Sequence, residues 1–254
     1  MGYTVIRAGD RSLTATAWLT SYHCFSFGDH YDPANTHHGA LIASNEEFLP
    51  PDCGFGSHHH QESEIVTWVS SGSLVHRDSA GHAGVVVPGL AQRMSAGRGI
   101  DHSERNDPWP DLPGSGTSTT HYVQMWVMPD SHGLSPSYAQ RDISAELSTG
   151  ALVTVASGDP THEAAISIAN AGATLYAARP AAGSTIQLPG ARFTHLFVVT
   201  GSVDFSVDAD DPQATIELGA GDSARGIDVG DAVLTAGENA EILYWAMNSA
   251  LGEF

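Results

Sequence analysis

Three consecutive histidines and two nearby glutamates crowd the segment FGSHHHQESEIVTWVSSG, Phe55–Gly72. If the segment is one strand, side chains 58, 60, 62 and 64 point to one face and His59 to the other, because alternate residues of a strand face opposite ways. His58 and His60 then lie about 7 Å apart along the backbone, close enough to chelate one ion. A second pair, His102 and Glu104, stands in SAGRGIDHSERND and shares a face if that stretch is extended too. Neutral imidazole with carboxylate suits iron, manganese, nickel, copper or zinc. Three nitrogens and one oxygen leave one or two coordination positions open, which metal-centred catalysis requires. A chain with 14 histidines offers accidental His-x-His pairs, so the second spaced pair in a β-rich context carries the reading. His37, His38, His76, His82, His121 and His132 read as ordinary surface or packing histidines. Glu64 competes with Glu104 for the carboxylate position, and the glutamate that does not bind the ion can instead orient a ligand histidine as a hydrogen-bond acceptor.

Strands must position these pairs, and the chain supplies them. Short β-rich runs cover Ser63–Ser70, Ser73–Arg77, Gly84–Val87, His121–Met128, Ala151–Ala156, Thr185–Leu188, Phe193–Thr200, Val203–Val207 and Glu241–Met247. Glycine, proline, serine or aspartate interrupts them roughly every eight to twelve residues, the signature of an all-β sandwich or barrel. Pro108–Thr120 is a proline-, glycine- and serine/threonine-rich loop. A break between two units fits best near Gly133–Ser148, where SPSYAQRDISAEL can form a linker with a short helix. A faint internal repeat supports two units: WVSSGSLVHR (Trp68–Arg77) resembles FVVTGSVDFS (Phe197–Ser206), a strand, a Ser/Thr-Gly turn and a second strand. The tetrapeptide RGID also recurs, at Arg98–Asp101 and Arg225–Asp228, but at a different distance from the preceding glycine.

Composition narrows the partners. A chain of 254 residues, 41% hydrophobic, can bury a sizeable core. It has no lysine and a formal net charge of −19, which repels a phosphate backbone or an anionic membrane. Direct nucleic-acid binding is therefore not expected, and a regulatory role would have to run through a protein partner. The opening MGYTVIRAGDRSLTATAWL lacks a basic n-region and an apolar h-region, and no apolar run suggests a membrane span. Cys24 and Cys53 are too few for a disulfide framework, so a cytoplasmic protein with reduced thiols is expected.

Beyond the metal residues, the sequence resembles the pirin family of two-barrel cupins. The resemblance runs through Trp18–Phe27, Tyr31–Pro33, Gly54–His60, Glu64–Val69, Gly72, His76–Ser79, Gly81, Ser95–Glu104, Gln124–Val127 and Pro136–Arg141, and thins beyond Arg141. It implies two cupin-type, jelly-roll β-barrels in tandem: residues 1–135 holding the metal, and residues 136–254 without a metal site. The second half has only His162 and His195, never His-x-His, consistent with a structural role. By the same resemblance the ligands are His58, His60, His102 and Glu104, with Glu64 near the site, and the ion is iron(II), with manganese, nickel, copper or zinc as alternatives. Family members include quercetin 2,3-dioxygenases, which open a flavonol ring with O₂ and release carbon monoxide. The implied activity is ring opening of a flavonol-like aromatic, with Glu104 the proton acceptor and Glu64 the runner-up. Phe55, Val66 and Trp68 are expected to line the barrel interior around a flat ligand. Other members are metal-dependent regulators that bind a protein partner, which is the alternative. A monomer is the expected state. The sequence departs from the family pattern where His59 replaces a proline between the ligand histidines, at Thr36–His38, and at Ala43 in place of an arginine.

Overall fold

Residues 2–206 and 215–253 are described by the structure, a computed structural model. Of the expected runs, only the final residue of Val203–Val207 falls outside them. The chain is nearly all β, 55% strand and 3% helix, as the turn-punctuated sequence predicts. The one α-helix among the described residues, the four-residue Ser144–Leu147, stands in the expected break. Among the described residues, no helix is long and apolar enough to cross a membrane.

Each half pairs a seven-stranded sheet with a four-stranded one. In the first half the larger sheet runs Ser137–Asp142, Leu90–Ser95, Glu64–Ser71, Thr120–Val127, Leu41–Leu49, Thr20–His23, Ser12–Ala15. The smaller runs Gly54–His60, Ile100–Arg105, Leu74–Asp78, Ala83–Val86. The second half repeats the plan. Its larger sheet runs Gly2–Ile6, Ser223–Val229, Ala191–Thr200, Glu241–Met247, Ala173–Ala178, Val153–Ser157, Ile166–Ser167. Its smaller sheet runs Thr185–Leu188, Ala232–Ala236, Ser202–Ser206, Thr215–Gly219.

The faint repeat read from the sequence is structural. Gly72 and Gly201 both sit at φ +78°, between strands that correspond in the two halves. A Cβ at Gly72 would come within 2.8 Å of Thr120 Cα, and one at Gly201 within 2.3 Å of the Asn239 carbonyl, so both turns exclude a side chain. The two RGID segments do not correspond: the first leads into the strand Ile100–Arg105, whereas the second lies inside Ser223–Val229. Sheet membership also crosses the expected boundary at residues 135/136. Gly2–Ile6 pairs with Ser223–Val229 of the second half, and Ser137–Asp142 with Leu90–Ser95 of the first.

Alternation along the strands decides what each face meets. Val66, Trp68, Val123 and Met125 leave the first half on its outer face. They join Leu175, Phe197, Val199, Leu243, Trp245 and Met247 in one apolar cluster that fuses the halves. Val66 and Trp68 therefore do not line the interior of the first half, contrary to expectation; Ile65, Thr67 and Val69, one step out of phase, face inward. Trp68 donates its indole N–H to Glu241 of the second half at 3.2 Å.

Candidate metal centre

The four-stranded sheet of the first half brings the chemistry-bearing residues together. His102 lies directly across the antiparallel ladder from His58, and Ile100 from His60. The register then slips, so that Glu104 faces Phe55 and the strand Gly54–His60 carries an extra residue opposite Ser103. Ring centroids are 4.4 Å apart for His58 and His102, 4.8 Å for His58 and His60, and 4.9 Å for His60 and His102. One ring nitrogen from each of the three lies within 4.8 Å of the others. His59 points to the opposite, exposed face and sits 3.0 Å from Asp101 Oδ1, as alternation predicts.

Glu104 is buried behind His102, its Oε2 3.9 Å from His102 Nε2. Gln124 Nε2 donates to both carboxylate oxygens at 2.9 and 2.8 Å, and Thr67 Oγ1 donates to Oε1 at 3.4 Å. Burial works to raise the Glu104 carboxyl, but His102, the Gln124 hydrogen bond and the nearby His76 and His58 outweigh it and hold it below its ordinary range. Burial, helped by the neighbouring His102 and His58, pushes His60 down to about 4. Burial also lowers His102, against the pull of Glu104. Both imidazoles are therefore neutral at neutral pH, with a lone pair available.

Two of those lone-pair positions have nothing to bond. His60 Nε2 and His102 Nε2 are buried and have no hydrogen-bond partner. His58 directs Nδ1 to the Gly56 carbonyl at 2.9 Å, which leaves its Nε2 for another partner. An unpartnered buried polar atom costs about 1–3 kcal/mol, so these two nitrogens together call for a ligand. Neutral imidazoles beside an ionised carboxylate are the donor set a divalent transition metal takes, and the residues fit one.

Glu64 is not brought to this cluster. The strand Gly54–His60 ends before it, and Glu62 takes φ +51° in the break, so the alternation that would align 58, 60, 62 and 64 is lost. Glu64 begins the next strand on the face turned toward the second half. There it accepts a hydrogen bond from Ser95 Oγ at 2.7 Å and lies 3.8 Å from Arg93 Nε. Phe55 does stay beside the cluster, its ring 5.8 Å from His58 and 5.1 Å from Trp18. Trp126 closes the other side, 4.8 Å from His60 and 5.2 Å from Phe27.

Three interior residues escaped the sequence reading. His76, taken there for a packing histidine, is buried across the ladder from Glu104 and forms a second close group with His102 and Glu104. Asp78 is across from His102. The pair His76-x-Asp78 carries the same two-residue spacing as the other site pairs, and that was the available signal. Glu47 is buried and accepts hydrogen bonds from Tyr122 Oη and, at 3.1 Å, from Ser21 Oγ. Burial, reinforced by Glu104, pushes its carboxyl up to about 7. Nothing in the local sequence distinguishes it from Glu46, which turns outward to Arg11 and His121.

A nearly all-β chain of two cupin-type units, with an imidazole–carboxylate cluster inside the first, defines the class. Within it, the chain belongs to the pirin family. The Pirin family profile matches residues 6–127. A Mycobacterium tuberculosis protein named "Putative quercetin 2,3-dioxygenase" is 49% identical over 247 residues, which span 97% of this chain and 96% of its own. The quercetin 2,3-dioxygenase of Escherichia coli K12 is 40% identical over 139 residues, 55% of this chain and 57% of its own. Among solved structures, YhhW from Escherichia coli superposes with a TM-score of 0.85 at 28% identity, covering 98% of this chain and 99% of YhhW. The bacterial pirin YhhW in complex with nickel(II) gives a TM-score of 0.84 at 27% identity, covering 98% of this chain and 100% of that one.

Proposed function

We propose that His58, His60, His102 and Glu104 hold one divalent transition metal, and that the chain uses it to open the ring of a flavonol-like aromatic with O₂. The observation that carries this reading is the close grouping of His58, His60 and His102, two of which hold an unpartnered buried Nε2, with Glu104 Oε2 3.9 Å from His102 Nε2. The names of the Mycobacterium and Escherichia relatives support the reaction class. Iron(II) is the proposed ion, although the same donors suit nickel, manganese, copper or zinc. A bound ion would supply Lewis acidity, lowering the pKa of an enolic hydroxyl, and the means to react with O₂.

The chain's own residues do the rest. Glu104 Oε2 accepts the substrate hydroxyl proton, and Gln124 Nε2 holds that carboxylate in place while it does so. Phe55 and Trp126, on opposite sides of the histidines, offer flat apolar faces to an aromatic ring and keep bulk water from it. The substrate enters from the His58 side, since His58 and His60 are partly exposed whereas His102 and Glu104 are buried. The proposed protein is a cytoplasmic monomer whose partners are the aromatic molecule and O₂.

Steady-state oxygen uptake with a flavonol panel, with carbon monoxide measured in parallel, tests the reading. The metal-loaded chain is expected to consume O₂ and release carbon monoxide in equal amounts. Glu104→Gln is expected to lower the rate roughly 10²-fold or more, the size of a general-base contribution. A chain that keeps its metal and turns over no flavonol would contradict the reaction and leave the centre standing.

A further inference from the structure

His76 and Asp78 have no part in the ligand set proposed above, yet both are buried against it. Their side chains are 1% and 0% exposed. Asp78 Oδ1 accepts the backbone N–H groups of Ala80 and His82, each at 3.0 Å, and Oδ2 lies 2.9 Å from His82 Nδ1. Oδ2 also lies 3.4 Å from His76 Nε2. On the far side of the same imidazole, His76 Nδ1 lies 3.5 Å from His102 Nδ1. The Tyr138 ring packs 4.9 Å from His76 and 5.4 Å from His82, which fixes both ring planes.

With each imidazole neutral, this chain of contacts has one consistent set of hydrogens. An ionised carboxylate only accepts, so a neutral His76 must carry its hydrogen on Nε2 and direct it at Asp78. Its Nδ1 is then a lone pair. The contact with His102 Nδ1 is a hydrogen bond only if His102 carries its hydrogen there. That leaves His102 Nε2 as a bare lone pair, and it is the buried nitrogen with no hydrogen-bond partner that faces Glu104 Oε2 across 3.9 Å.

We propose that Asp78 and His76 are positioning residues that lock His102 in the tautomer with hydrogen on Nδ1, so that Nε2 is held as a metal ligand. The lock itself is a property of the metal-free chain; only its consequence for binding rests on the proposed centre. Partners that orient a ligand histidine in this way are worth 10–100-fold in metal affinity.

The test uses the full chain, labelled with ¹⁵N-histidine and freed of metal with chelator. A long-range ¹H–¹⁵N spectrum at pH 8 reads each tautomer directly, with His102 assigned from His102→Gln. The expected result is hydrogen on Nδ1 of His102 and on Nε2 of His76, with His102 becoming a mixture of tautomers in Asp78→Asn. Hydrogen on Nε2 of His102 in the unaltered chain would overturn the proposal, and that spectrum needs no variant other than the assignment one. So would a folded Asp78→Asn whose His102 is unchanged. Cobalt(II) affinity, measured by chelator competition, is then expected to fall 10–100-fold in both Asp78→Asn and His76→Phe, with the visible bands of the loaded centre in place. Bands that shift in His76→Phe while Asp78→Asn binds normally would make His76 a ligand and overturn the positioning role. An unaltered chain with the expected tautomers that binds no cobalt(II) would uphold the lock and remove the metal reading.

Discussion

The two halves of the molecule share one plan and fill it differently. In the second half the four-stranded sheet presents Ile186, Leu188 and Leu234, which join Leu196, Val198, Phe205 and Ile242 in one continuous apolar cluster. The corresponding strands of the first half carry His58, His60, His102 and Glu104. Its interior apolar side chains fall into two separate groups, one around Leu49, Val69 and Leu74, the other around Ile65, Met94 and Ile100. Thr67, Gln124, Glu47 and His76 are likewise polar and buried in this half. The first half thus gives up a continuous core for a preorganised polar site, whereas the second supplies rigidity through its own core and the shared seam. Buried unpartnered nitrogen alone does not mark such a site. His195 in the second half is fully buried with both ring nitrogens unpaired, but it belongs to no close group of histidine or carboxylate donors among the described residues.

The largest effect expected on stability lies at the seam, where the comparison would break if the halves were independent. Trp245 is fully buried between them, and its indole N–H points to Met125 Sδ of the first half at 3.2 Å. Trp245→Ala should cost about 3–5 kcal/mol in one cooperative denaturant transition. Two separate transitions, with the first half unaffected, would show that the seam does not couple them.

A pH-dependent effect of intermediate size follows from Glu47. Its folded-state pKa of about 7 lies above the ordinary 4.5, so the folded chain prefers the protonated form. The stability this contributes is fully present below the unfolded value, is lost as pH rises toward about 7, and changes no further above that. Relative to Glu47→Gln, the unaltered metal-free chain should lose on the order of 3 kcal/mol between pH 4 and pH 8. A constant difference between the two across that range would contradict the raised pKa.

The smallest effect sharpens the contrast between the two interiors. His60→Leu gives the first half the kind of residue the second half carries at Leu188, and removes one unpartnered nitrogen. The metal-free variant should be as stable as the unaltered chain or up to about 1–2 kcal/mol more stable, while losing metal affinity. A marked loss of metal-free stability on denaturant unfolding would mean that His60 is satisfied within the metal-free protein after all.

Much of this was legible in the sequence, and the limits have physical causes. The pairs His58/His60 and His102/Glu104 could be read because strand alternation is local, and their strands run unbroken through both members. Glu64 could not be placed, because its position depends on the break at Gln61–Ser63, which no periodicity announces. His76, Asp78 and Glu47 meet the site through lateral pairing, and sequence spacing is blind to which strands are neighbours. The same blindness hid the crossing of Gly2–Ile6 into the sheet of the second half, and the outward aim of Val66 and Trp68.

Whether the first half holds a metal is decided by its metal content. The full chain and a His58→Ala/His102→Ala double variant are purified side by side, reconstituted with iron(II) or nickel(II), and measured by elemental analysis. One ion per chain is expected in the unaltered protein and none in the variant, with both folded by circular dichroism. An unaltered chain that retains no metal after reconstitution, or a folded double variant that keeps a full equivalent, would contradict the proposed metal centre.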